Sequence, residues 1–234
     1  MSFENQTVMV TGAAGNLGQA VAAAFAGQGA RLVLIGRQLE SLQAAFGDAG
    51  DNRLFLATDL LDGPQVAAAL AAAVARFGRV DVLCNLAGGF RMGEAVHETA
   101  DSSWDFLMDI NARTVLNTAR AVVPHMLEHG GGKIVNVGAY AAQKGAARMA
   151  AYCASKSSVI RLTEAMAAEL RAKNINVNCV LPTIIDTPEN RAAMPQADPL
   201  HWVAPKDLAS VIVFLASNAA RAVHGAALPV TGLI

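Results

Sequence analysis

Tyr152-Cys153-Ala154-Ser155-Lys156 places a phenol four residues ahead of an ammonium. Residues at that spacing share one face of a helix, so Lys156 can stand beside the Tyr152 hydroxyl. A free phenol, with a pKa of about 10, gives up its proton poorly at neutral pH, and a neighbouring positive charge stabilises the phenolate. The pair is therefore a candidate general acid or base. Tyr140 and Lys144 repeat the spacing. Context separates the two: Tyr152 opens a run with Val159, Leu162, Met166 and Leu170 at helical intervals, whereas Tyr140 follows a strand-like run and soon meets Gly145.

The second chemical feature is the turn Thr11-Gly12-Ala13-Ala14-Gly15-Asn16-Leu17-Gly18, which follows a short β-rich run at 7–10 and opens a helical stretch at 17–27. Glycines let the backbone turn sharply and approach a diphosphate, and the helix start offers unpaired N–H groups at a positive dipole end. Strand, glycine turn and helix in this order make a dinucleotide-binding start. The second strand, 31–35, is followed by Gly36 and Arg37. A site that prefers NAD usually has a carboxylate there for the ribose 2′-hydroxyl; Arg37 instead suits a 2′-phosphate through charge-assisted hydrogen bonds, which favours NADP(H).

The elements that must position these groups alternate strand and helix. Strands are expected at 53–57, 80–84, 133–137, 175–180 and 226–230, with helices at 64–77, 104–128, 150–171 and 206–216. Asp59 and Leu60 follow the third strand, and Asn85-Leu86-Ala87-Gly88-Gly89 follows the fourth; ligands sit beyond the carboxyl ends of parallel strands. Asn111 stands inside an expected helix, where asparagine competes for backbone groups and needs a specific hydrogen-bonding task. Residues 183–205, with proline stops and apolar Met194 and Trp202, read as an ordered lid; Arg91, Met92, Gln143 and Trp202 are the candidate substrate-pocket residues. No repeat or linker divides residues 1–234, so the expectation is one α/β domain, a doubly wound three-layer sandwich on a seven-stranded parallel sheet.

Composition narrows the partners. A formal net charge of -1 gives no electrostatic case for nucleic acid or an anionic membrane. The aliphatic run 66–75 is too short to cross a bilayer and residues 1–6 lack a signal pattern, so a cytoplasmic location is expected. Cys84, Cys153 and Cys179 are widely spaced among apolar residues and read as buried thiols. His125 and His129 are four apart but lack a nearby third ligand and precede three glycines, so they are read as helix C-terminal cations, and no metal site is expected.

With these pieces assembled, the chain resembles the short-chain dehydrogenase/reductase family over essentially its whole length. The carrying motifs are the glycine turn, Asp59, the loop at 85–88, Asn111, the Tyr152/Lys156 pair and the segment 182–188. The resemblance implies a nicotinamide cofactor bound by Gly12, Gly15, Asn16, Leu17, Gly18, Arg37, Asp59, Leu60, Asn85, Ala87, Gly88, Tyr152, Lys156, Pro182, Ile185 and Thr187. It implies Tyr152 as the proton carrier, Lys156 on the nicotinamide ribose, Asn111 helping to hold a proton-relay water, and Thr187 at the carboxamide. It also implies a homodimer or homotetramer, paired through the helices that carry Asn111 and Tyr152.

One departure bears on the chemistry. The family's serine usually stands thirteen residues before the tyrosine, and here that position is Ala139. Loss of one such donor to a carbonyl oxygen typically costs about 3 kcal/mol, or roughly a hundredfold in rate. Tyr140, Gln143 or a water are the candidate replacements. Asn16 replaces a common glycine, Leu86 a second asparagine and Thr183 the glycine after Pro182. The leading expectation is an NADP(H)-dependent oxidoreductase acting on a small or medium carbonyl or alcohol; the alternative is a catalytically weak or inactive NADP(H)-binding sensor.

Overall fold

Alternate residues along the strands go to opposite faces of a sheet, and here both sets are apolar. In the computed structural model, which describes residues 1–233, Val8, Val10, Leu32, Leu34, Val82 and Cys84 face one side, while Met9, Val33, Ile35 and Leu83 face the other. Such two-sided burial demands a helical layer on each face. The strands β1 (Thr7–Thr11), β2 (Arg31–Gly36), β3 (Arg53–Ala57), β4 (Val82–Asn85), β5 (Gly132–Val137), β6 (Ile175–Pro182) and β7 (Ala227–Val230) form one parallel sheet in the order β3-β2-β1-β4-β5-β6-β7.

One face is covered by α1 (Asn16–Ala26), α2 (Leu39–Phe46) and α8 (Pro205–Ala216), whose Val21, Phe25, Leu42, Leu208 and Ile212 join the first apolar set. The other is covered by α3 (Gly63–Phe77), α5 (Thr114–Glu128) and α6 (Ala150–Leu170), through Val66, Ala69, Val122, Met126, Ala167 and Leu170. The seven-stranded doubly wound sandwich expected from the sequence is what forms. Because β1 lies between β2 and β4, the connections leave it in opposite directions, which opens a crevice beyond its carboxyl end.

Several boundaries moved. The fourth strand starts at Val82 rather than 80, since Val80 N–H donates to His125 Nε2 and the Asp81 carboxylate accepts from Thr7 N–H at 2.8 Å. The stretch expected as one helix at 104–128 is α4 (Asp101–Met108), a π turn (Asp109–Arg113) and then α5. Residues 183–205 contain α7 (Pro188–Ala193), capped by the Thr187 hydroxyl, and a parallel bridge between Ile185 and Val203. All three cysteines are buried and unpaired. Among the described residues no helix is long and apolar enough to cross a membrane, and no group of three metal-ligating side chains forms.

Candidate active site

The crevice is built around Thr11. Its hydroxyl, at the end of β1, accepts from the backbone N–H of Leu86 at 3.0 Å and of Ala87 at 3.2 Å, tying the glycine turn to the loop after β4. Gly12 has φ +64°, and a Cβ there would lie 2.9 Å from Ala87 N. A Cβ on Gly18 would lie 2.4 Å from the Gly12 carbonyl oxygen, so neither position accepts a side chain without moving backbone. Gly15 precedes α1 and offers it no side-chain cap, and the first turn holds no acidic residue. The first N–H groups, on Asn16, Leu17 and Gly18, are thus left to face the crevice at the positive end of the helix. This cradle fits a dinucleotide diphosphate.

Along the crevice, Gly36 ends β2 with Leu42 packed close beneath it: a Cβ would meet that side chain at 3.2 Å. A carboxylate at this position would need Leu42 to move. The next residue, Arg37, is exposed. Asp59 accepts from Leu61 N–H at 2.9 Å, a local turn, and Leu60 is buried below it with its carbonyl held by Asn117 Nδ2.

Tyr152 and Lys156 rise on α6 beside the loop that follows β4. Lys156 is buried; its Nζ donates to the Val137 carbonyl at 2.9 Å, and a Cβ on Gly88 would reach that nitrogen at 3.0 Å and Asn111 Oδ1 at 2.9 Å. Gly88 therefore leaves room for both groups. The Tyr152 ring meets Phe90 edge to face, with centroids 4.8 Å apart. Burial pushes the phenol up to about 12 and the ammonium down to about 8. The i, i+4 spacing predicts that Lys156 lowers the phenol; here loss of water around the ring, with the Cys153 thiol beside it, raises it, and Lys156 is directed to Val137 instead of making a hydrogen bond with Tyr152.

Asn111 is buried in the π turn. Its Oδ1 accepts from Gly89 N–H, and its Nδ2 donates to the Gly89 carbonyl and to Ser155 Oγ, each at 3.0 Å. Ser155 in turn donates to the Tyr152 carbonyl. Asn111 thus clamps the Gly88 loop to α6. Below it runs a buried polar chain that sequence reading missed: Thr118 Oγ1 donates to Asn85 Oδ1, Asn85 Nδ2 to Asn136 Oδ1, and Asn136 Nδ2 to Thr163 Oγ1. Asn136 alone among the core residues of β5 is polar, and that was the only signal.

The remaining expected residues lie at the end of β6. Pro182 closes the strand, the Ile185 carbonyl accepts from Asn190 Nδ2, and the Thr187 hydroxyl accepts from Asn190 N–H and donates to the Glu189 carboxylate. Of the substrate-pocket candidates, Arg91 and Met92 line a cavity and Gln143 is exposed; Trp202, 6 % exposed, is buried and does not line that cavity. Ala139 is buried at the end of β5, with Tyr140 and Gln143 in a short 3-10 turn after it.

The molecule has close counterparts. A family model described as short chain dehydrogenase matches residues 6–198. The chain is 36 % identical over 243 residues to D-threitol dehydrogenase of Mycolicibacterium smegmatis, covering 98 % of this chain and 93 % of that protein. Among solved structures it is similar to 3-ketoacyl-(acyl-carrier-protein) reductase from Brucella melitensis complexed with NADH, at TM-score 0.88 and 30 % identity over all of both chains. It is also similar to ElxO with NADP bound, at TM-score 0.90 and 26 % identity over 97 % of each. A glycine cradle, a clamped loop and a tyrosine-lysine helix at the switch point of the sheet, together with these matches, place the chain in the short-chain dehydrogenase family of oxidoreductases.

Proposed function

We propose that the protein is an NADP(H)-dependent oxidoreductase that interconverts a small or medium carbonyl and its alcohol, with Tyr152 carrying the proton. The observation that carries this reading is the position of the Lys156 ammonium. It is held between the Val137 carbonyl and Gly88 at the carboxyl ends of β4 and β5, one helical turn from the phenol. The relatives bound to NADH or NADP support a nicotinamide cofactor, which supplies or removes the hydride. Arg37 and the carboxylate-free end of β2 favour the 2′-phosphorylated form.

Within the proposed site each side chain has a stated task. The phenol, held up at about 12, is protonated at neutral pH, the form that can donate to a reduced carbonyl oxygen. Lys156, at about 8, is still mostly charged at pH 7 and lies where it can bind ribose hydroxyls. Asn111 has its amide committed to Gly89 and Ser155, which holds the loop after β4 against α6 beside the phenol. Thr187 contacts the carboxamide of the cofactor, and residues 183–205 act as the lid of this single domain. Ala139 leaves the carbonyl oxygen without the family's serine, so Tyr152 is its principal donor. The same proposal includes a homo-oligomer paired through α5 and α6.

Relatives named as dehydrogenases and reductases favour chemistry over cofactor sensing. The test is to follow NADPH and NADH consumption across ketones, quinones, acyl thioesters and pterins. Turnover of a carbonyl with NADPH preferred supports the reading; dinucleotide binding with no turnover of any class opposes it.

A further inference from the structure

Next to the proposed acid lies a cavity of about 200 Å³ whose wall is formed by Arg91, Glu94, Ser103, Arg148, Met149 and Ala151 among others. It abuts the first turn of α6, immediately before Tyr152, and Arg91 follows Phe90, whose ring touches the Tyr152 ring. Its charges are unbalanced. Arg148 Nη1 donates to the Gly93 carbonyl at 3.0 Å, and the Arg91 guanidinium lies over the Phe106 ring, 3.8 Å from its centroid. Neither makes an ion pair among the described residues. Glu94 shares the wall, but its Oε1 accepts from Ser103 Oγ at 3.1 Å and it makes no ion pair with either guanidinium.

Two unneutralised guanidiniums around one cavity repel each other and favour an anion between them, and their planar forks match a carboxylate. The single Glu94 charge in the wall leaves a net charge of about +1, which suits a singly charged group better than a phosphate dianion. The backbone favours this further: α6 begins without a side-chain cap or an acidic residue in its first turn, so its positive end faces the same space. We propose that Arg91 and Arg148 form a carboxylate subsite, and that the substrate is a keto acid or hydroxy acid whose charged group is held there while its carbonyl or carbinol carbon reaches Tyr152. This rests on the oxidoreductase reading above and narrows its substrate class.

The experiment uses the full chain and a matched pair, 4-oxocyclohexanecarboxylate and its methyl ester, with NADPH. The acid should have a kcat/KM at least tenfold above the ester, and this ratio should collapse toward one in Arg148→Gln and in Arg91→Gln. A ratio within each variant does not depend on how much of that variant is folded. A second arm needs no turnover: cyclohexanecarboxylate titrated calorimetrically into the NADPH-loaded protein should bind, bind equally to Tyr152→Phe, and lose binding in Arg148→Gln. Equal use of acid and ester, or no binding of cyclohexanecarboxylate, overturns the subsite and leaves the oxidoreductase reading standing. Binding that depends on Arg148 without turnover of any carbonyl keeps the subsite and overturns the oxidoreductase reading.

Discussion

Asn16 Nδ2 donates to Glu189 Oε2 at 2.9 Å, which ties the glycine turn to the short helix in the 183–205 segment. Asn16 stands where many family members have glycine, so this tie is a property of the present chain. It also puts a carboxylate at the positive end of α1, where a dinucleotide diphosphate would place its own negative charge. The Glu189 backbone N–H, with the Thr187 hydroxyl and Asn16, holds that carboxylate below the usual range, so it is ionised at neutral pH.

Glu189→Gln keeps a partner for Asn16 and removes the charge. We expect NADPH to bind a few-fold more tightly to this variant at low salt, with the gain shrinking at high salt, as measured by fluorescence titration. Equal affinity at low salt would show that the carboxylate does not oppose the cofactor.

Arg37 carries the cofactor preference. Arg37→Ala should weaken NADPH binding about tenfold or more, the cost of a hydrogen bond to a charged group, while NADH binding changes little. An unchanged ratio of the two affinities would remove Arg37 from the 2′-phosphate site.

Lys156 makes a prediction about stability and pH. Its folded pKa is about 8 against an ordinary 10.5, because burial penalises the charged form. Below about pH 8 both states hold the proton and the penalty is fully felt. Between these values the unfolded chain retains a proton that the folded chain has lost, so the folded state gains about 1.4 kcal/mol per pH unit. The raised thiols of Cys84 and Cys179 act in the opposite sense from about pH 9 upward. Comparison with Lys156→Met isolates the lysine: urea unfolding between pH 8 and 10 should show the wild type gaining on the variant. A constant difference would mean that the ammonium is hydrated in solution.

The chain from Thr118 through Asn85 and Asn136 to Thr163 predicts a structural cost. Asn136→Ala leaves the Asn85 amide without its buried acceptor, worth about 1–3 kcal/mol. Urea melts should show that loss. A variant as stable as wild type would mean that water replaces the side chain.

The strands were legible because two-sided burial writes continuous apolar runs, as in Leu32-Val33-Leu34-Ile35. The Tyr152/Lys156 pair and the glycine turn stand out in the sequence as candidates because their proposed chemistry depends on local spacing. The π turn was not: Asp109-Ile110-Asn111-Ala112-Arg113 is unremarkable as a helical sequence, and what marks the turn is the set of bonds from Asn111 to Gly89 and Ser155, which lie 22 and 44 residues away. The direction of Lys156 toward Val137, the contact of Phe90 with Tyr152 and the reach of Glu189 to Asn16 are likewise products of tertiary packing, so no window of sequence contains them.

Proton donation by the Tyr152 hydroxyl is measured most directly by single-turnover reduction of a carbonyl substrate by wild type and Tyr152→Phe, each preloaded with NADPH. The ring packing against Phe90 needs no hydroxyl, so the variant should bind NADPH with nearly unchanged affinity and fail to reduce the substrate. Reduction by Tyr152→Phe at the wild-type rate would contradict the account.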